Sequence, residues 1–238
     1  PDVPGLFDDG LAAVAEEAKI AVALDLERLT LAADPRVRKV RKATYGDSMV
    51  ETIVVNSRGV NGRYRGTSVS ASVTAVAEEN GQSQMGWDFD FSSRFDGISV
   101  ERIVAGAVAK ATGLLGAATV PTMRCPAVLD TYVATEILEV LVPAFLAENV
   151  QKGKSLLAGK RGEMIVAPLL TIRDDGTLPG GMGTAPFDAE GVPKRNTVLV
   201  QNGRLDSYLY DTLRARKEGV APTGNAIRSG IKSPPHMG

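Results

Sequence analysis

The sequence predicts an α+β protein: an antiparallel sheet unit covered by helices, followed by a second mixed α+β unit with a β-hairpin-rich sheet. Three observations lead there. Val69, Ala71, Val73 and Ala75 alternate with Ser68, Ser70, Ser72 and Thr74, which is how a strand with one buried face and one small polar face is written. Residues 100–115 are rich in alanine and valine behind Ser99, a helix with a capping side chain that can cover the apolar side of such a sheet. Beyond residue 159, short apolar runs are separated by glycine and proline turns, the punctuation of hairpins and shaped loops.

In chain order, Asp8 or Asp9 can cap a helix over residues 11–33, whose Leu11, Val14, Ala18, Val22 and Leu29 are close to helical spacing. Pro35 stops it. Residues 36–42 mix cations with Val37 and Val40 and read as the solvated face of an exposed strand. Residues 49–55, 63–77 and 82–91 read as strands of a meander, with turns at 56–62 and at Asn80-Gly81. The segment 116–126 is a connection, which divides the chain into domains 1–118 and 119–238. The second domain opens at residues 127–129 and continues as a helix over 131–149. Pro143 is expected to kink that helix or end a turn of it, because it lacks the N–H that bonds to the carbonyl of Glu139. Residues 169–172 form a short apolar run expected to be a buried strand. Residues 197–200 resume a strand, Asn202-Gly203 is a type I′ hairpin signal, and 205–209 alternates as the returning strand.

Composition narrows the function classes. The chain has 238 residues, 44% hydrophobic and 23% charged, enough for one large or two small domains with a real core. The formal net charge is −1, without the basic surplus of a nucleic-acid binder, so nucleic acid is not the expected partner. Cys125 is the single cysteine, which rules out an internal disulfide and fits a reducing compartment. No apolar run approaches the roughly 20 residues of a membrane span. No signal peptide is visible, and cytoplasm is the expected location.

One stretch is too particular in composition for generic scaffold. Gly-x-x-Gly-Glu at 159–163, x-Asp-Asp-Gly-Thr-Leu-Pro-Gly at 173–180, x-Phe-Asp-x-Glu-Gly-Val-Pro at 186–193, Asn-Gly-x-Leu-x-x-Tyr-Leu-x-Asp at 202–211 and Pro-Thr-Gly-Asn-Ala at 222–226 follow one another in order. This set of blocks resembles the TldD/PmbA family, historically called modulators of DNA gyrase, with weaker similarity reaching back to about Leu11. Members of that family are longer at both ends, so the chain is expected to be a fragment, carrying the central domain and the first part of the peptidase-like C-terminal domain.

The resemblance also fixes where to look for chemistry. In TldD-type members the helix corresponding to 131–149 carries His-Glu-x-x-x-His, two imidazoles for zinc and a carboxylate acting as general base on bound water. Counting back from Gly153, Ser155 and Gly159 places the motif on residues 138–143, which read Leu-Glu-Val-Leu-Val-Pro. Leu138 and Pro143 offer zinc no lone pair, and Glu139 alone cannot hold it. No catalytic residue and no metal site are therefore expected here. Glu139 is retained from the motif as a vestige, and zinc is expected in a TldD-type partner. Glu136 and Glu139 lie three apart and read as a wet helix face. His236, the single histidine, follows Ser233-Pro234-Pro235 with no second ligand in view, and Cys125 has no activating neighbour.

The resemblance implies a non-catalytic, TldE/PmbA-type subunit of a cytosolic zinc peptidase system that acts on unfolded peptides, small peptide precursors or antitoxins. Its partner is a TldD-type subunit or a second copy, and its substrate an extended peptide held by main-chain bonds to strand edges. Gly180, Gly181, Gly183, Asp188 and Glu190 are the expected substrate or partner contacts, with the glycine loop 176–183 acting through its backbone. Asp174, Asp175, Asp188 and Glu190 suit a cation in principle, but acidic residues beside glycines more often accept local backbone N–H bonds. Two other readings remain: a binding or scaffold protein with no peptidase connection, and a hydrolase using Glu139 with ligands from outside this sequence.

Overall fold

The computed structural model describes residues 3–230, 233 and 235–237. Its elements are α1 (Glu16–Ala33), β1 (Val37–Val55), β2 (Asn61–Glu79), β3 (Gln82–Ser92), α2 (Val100–Gly113), α3 (Thr131–Phe145), α4 (Ala147–Gln151), β4 (Ile172–Asp175), β5 (Asn196–Gln201), β6 (Arg204–Leu205), α5 (Thr212–Glu218), β7 (Ala226–Ile227) and β8 (His236–Met237). The class is α+β, as the alternation and the hairpin signals predict. Contacts divide the chain into two compact units that are not consecutive stretches. One holds Gly5–Glu51 and Arg65–Met123; the other holds Thr52–Tyr64 and the chain from Arg124 onward. The far end of the β1–β2 hairpin belongs to the same unit as the chain from Arg124 onward. There Tyr64 meets Phe187 edge to face at 5.0 Å, and Val60 lies against Gly191.

The first unit is a three-stranded sheet in the order β1-β2-β3, with helices on its apolar side. The strand alternation in β2 is realised residue by residue. Val69, Ala71, Val73 and Ala75 are buried, with Leu26 of α1 and Ile103, Val104, Ala107 and Ala111 of α2 against them. Each fully buried Leu or Ile there contributes about 2 kcal/mol by removal from water. β3 runs antiparallel to β2 from Val69↔Ser92 to Glu79↔Gln82. A Cβ on Gly86 would stand 2.0 Å from the carbonyl oxygen of Ala107, so α2 sits directly on the β3 backbone. Ser99 caps α2 by accepting from the Arg102 N–H, and Arg102 and Lys110 reach back to Asp90 and Asp88 at 2.8 and 3.3 Å.

Local boundaries differ from the sequence reading where side chains find other work. The first helix begins at Glu16, preceded by a single 3-10 turn at Leu11–Ala13. Asp8 does not cap α1, because its carboxylate accepts from the N–H of Gly10 at 2.9 Å and closes a turn there. The strand read as 49–55 begins at Val37, so the basic run 36–42 lies at the entry to β1; Arg38, Lys39, Arg41 and Lys42 within it are exposed.

The second unit has shorter elements around a core of Phe145, Ala147, Leu199, Val200, Leu205, Tyr208, Leu209, Tyr210 and Ala215. The expected single helix over 131–149 is two helices, α3 and α4, parted by an extended Leu146 (φ −74°, ψ 121°). Pro143 withholds one helical N–H. Leu209 then takes over the chain, donating to the carbonyl of Phe145 and accepting from the N–H of Ala147, both at 2.9 Å. The run 169–172 is not a buried strand. Leu169 is 99% exposed, the Leu170 N–H turns back to the Ala167 carbonyl, and the strand begins only at Ile172. Asn202 and Gly203 both hold positive φ (49° and 80°) and join β5 to β6 as the type I′ signal predicts. The returning strand stops after Leu205. Its continuation changes partners, with Asp206 bonded to Leu199, Leu209 to Phe145 and Tyr210 to Thr223.

Candidate functional site

The helix α3 carries residues 138–143, the stretch on which the resemblance places the zinc motif of TldD-type members. Asp130 caps it by accepting from the N–H of Tyr132 at 2.9 Å. Its sequence is apolar almost all round, and of its side chains only Phe145 is buried. Leu138 stands in the wall of an apolar cleft of about 450 Å3, with Ile137, Leu141, Leu157, Ile165 and Leu170 among its neighbours. Val140, two residues on, is 79% exposed. Pro143 accepts from the Leu146 N–H and the Asn149 side-chain amide. Leu138 and Pro143 have no donor atom in their side chains, and Glu139 is a single carboxylate beside aliphatic neighbours. This set does not fit a metal ion. Among the described residues no group of three or more His, Cys, Asp or Glu is placed to hold one. Glu136 and Glu139 both lie on the exposed surface of α3, and Glu136 raises the phenol of Tyr132 above its ordinary range through a hydrogen bond and its charge.

The acidic and glycine-rich blocks come together elsewhere. Asp188 is 4% exposed, and its carboxylate accepts three backbone N–H groups: Glu190 and Val192 on one oxygen, Ala226 on the other, each at 2.9 Å. Burial pushes its carboxyl upward, against the pull of those three bonds. Asp188, expected as a contact residue, is thus turned inward, where its charge organises residues 186–193 around the 222–226 block. Glu190 accepts from the N–H of Thr212 at 2.8 Å, at the start of α5. Asp175 accepts from the Thr177 N–H and hydroxyl and from the Asn196 amide, and these bonds hold it below the usual carboxylate range. Asp174 accepts from the Asn225 amide at 2.7 Å.

The glycines of the 176–183 loop are not equivalent. Gly180 holds φ +75°, and a Cβ on Gly181 would stand 2.7 Å from the Thr184 hydroxyl and 3.1 Å from the Leu178 carbonyl. Gly176 faces the flexible stem of Lys194, and Gly183 has open space around it and needs no positive φ. His236 donates from Nδ1 to the Ile227 carbonyl and shares a hydrogen bond between Nε2 and the Ser229 hydroxyl, both at 3.1 Å, so its ring is engaged in the β7–β8 pair. Cys125 is exposed and free. The sequence reading missed Thr197 and Thr223, buried hydroxyls of this region. Their only signal was a threonine among apolar residues, which is too common to single out.

Comparison with known proteins places these blocks. Residues 9–115 match the PmbA/TldA metallopeptidase central domain and residues 122–238 the PmbA/TldA metallopeptidase C-terminal domain. The metalloprotease TldD homolog of Haemophilus influenzae is 31% identical over 228 residues, 92% of this chain and 47% of that protein. The metalloprotease PmbA of Escherichia coli O157:H7 is 27% identical over 226 residues, 94% of this chain and 50% of that protein. A crystal structure from Thermotoga maritima, described as a modulator of a DNA gyrase, superimposes with a TM-score of 0.85 at 29% identity, covering 96% of this chain and 53% of that one. The chain spans about half the length of the curated relatives it matches over most of its own length.

Proposed function

Because the chain belongs to the PmbA/TldD metallopeptidase family, we propose that it is the partner-type, TldE/PmbA-like subunit of a cytoplasmic zinc peptidase assembly. In this reading a TldD-type subunit supplies the metal and the general base. This chain completes the dimer and helps enclose an extended peptide, an unfolded segment, a small precursor or an antitoxin. What supports the reading is that residues 138 and 143, on which the resemblance places the two imidazoles of the TldD-type motif, are a leucine and a proline, with Leu138 in an apolar cleft wall. Overall identity does not separate the two subunit types, since the TldD-named and PmbA-named relatives stand at 31% and 27%. The assignment therefore rests on those two positions. No described helix is long and apolar enough to cross a membrane, which is compatible with a cytoplasmic assembly.

Recovery of the full-length protein from native extract, with zinc quantified in whatever is recovered, tests the proposal. The expected result is a zinc-bearing relative in the complex and no zinc on this chain alone. Glu139→Gln is expected to change the peptidase activity of the complex less than twofold, because a carboxylate with no metal-bound water beside it has nothing to deprotonate. Stoichiometric zinc on the isolated full-length chain, or a hundredfold loss in Glu139→Gln, favours instead a hydrolase with ligands outside this sequence.

A further inference from the structure

We draw no further inference here: the strongest candidate, the apolar cleft of about 450 Å3 between α3 and residues 156–172, walled by Ile137, Leu138, Leu141, Leu157, Ile165 and Leu170, is an unpartnered face, and nothing in the structure shows what covers it.

Discussion

The two units are stabilised by different means. In the first, β2 and α2 bury a periodic apolar face, and the core is nearly continuous from Leu26 through Val73 to Ala111. In the second, strands of two to six residues are too short to define a fold by periodicity, and polar side chains, two of them carboxylates, tie the backbone instead. Asp188 holds three N–H groups, Asp211 caps α5 by accepting from the Arg214 N–H at 2.6 Å, and Thr223 bridges the N–H of Tyr210 at 2.7 Å. A close-packed core is sensitive to added volume. A cross-tied loop system is sensitive to the loss of one acceptor.

The largest effect should come from the core. Gly86→Ala forces a methyl to within 2.0 Å of the Ala107 carbonyl oxygen and 2.4 Å of the Ala111 nitrogen, and neither backbone atom can step aside without moving α2. A loss of about 3 kcal/mol or more is expected, read as a lower midpoint of thermal or urea unfolding. A midpoint shift of a degree or less would show that α2 is held less tightly than the packing indicates.

Asp188→Ala probes the other side of the comparison. It leaves three N–H groups unpaired in a buried place, and a cost of about 2–4 kcal/mol is expected. Hydrogen exchange should show faster exchange at Val192 and Ala226 while protection in β2 is unchanged. If protection in β2 falls equally, the two units are one cooperative structure and the contrast fails.

Smaller effects separate the glycines. Alanine at Gly180 and Gly181 together is expected to cost about 2 kcal/mol, from a positive φ and a close contact, and to lower partner affinity if the loop shapes the channel or the subunit contact. Alanine at Gly183, which has neither constraint, should be neutral or stabilise by about 0.5 kcal/mol through the unfolded chain. Equal melting temperatures for the two variants would mark the whole loop as unconstrained.

The smallest expected effect is electrostatic and lies in the first unit. The Arg36 guanidinium forks onto Asp34 through Nε and Nη2 at 3.0 and 2.8 Å, and its hydrogen bonds hold that carboxyl down at about 2. A folded value below the unfolded one means the contribution is present above pH 4 and is lost as pH falls through 2. The pair is exposed, so the gain is screened by solvent. A carbon-detected titration of Asp34 in the folded chain should show its midpoint below that of an unstructured aspartate, and Asp34→Asn should bring the midpoint of acid unfolding no lower.

Much of this architecture was legible in the residues. The Val/Ala alternation of β2, the Ser99 cap, the Asn202-Gly203 turn and the helix-breaking effect of Pro143 each act over a few neighbouring positions, so local sequence determines them. The ordered blocks from 159 to 226 were likewise enough to identify the family, and residues 138 and 143 can be read directly as a leucine and a proline, neither with an imidazole. What only the tertiary structure decided are choices among distant partners. Asp8 turned from helix cap to local turn, and 206–209 left its ladder to bond at Leu199 and Phe145. Leu169 faces solvent despite its apolar neighbours, and Asp188 turned inward to hold three backbone N–H groups. In each case several backbone or side-chain partners compete at similar energies, and the winner is set by which segments the fold brings within about 3 Å, a distance that no spacing along the chain encodes.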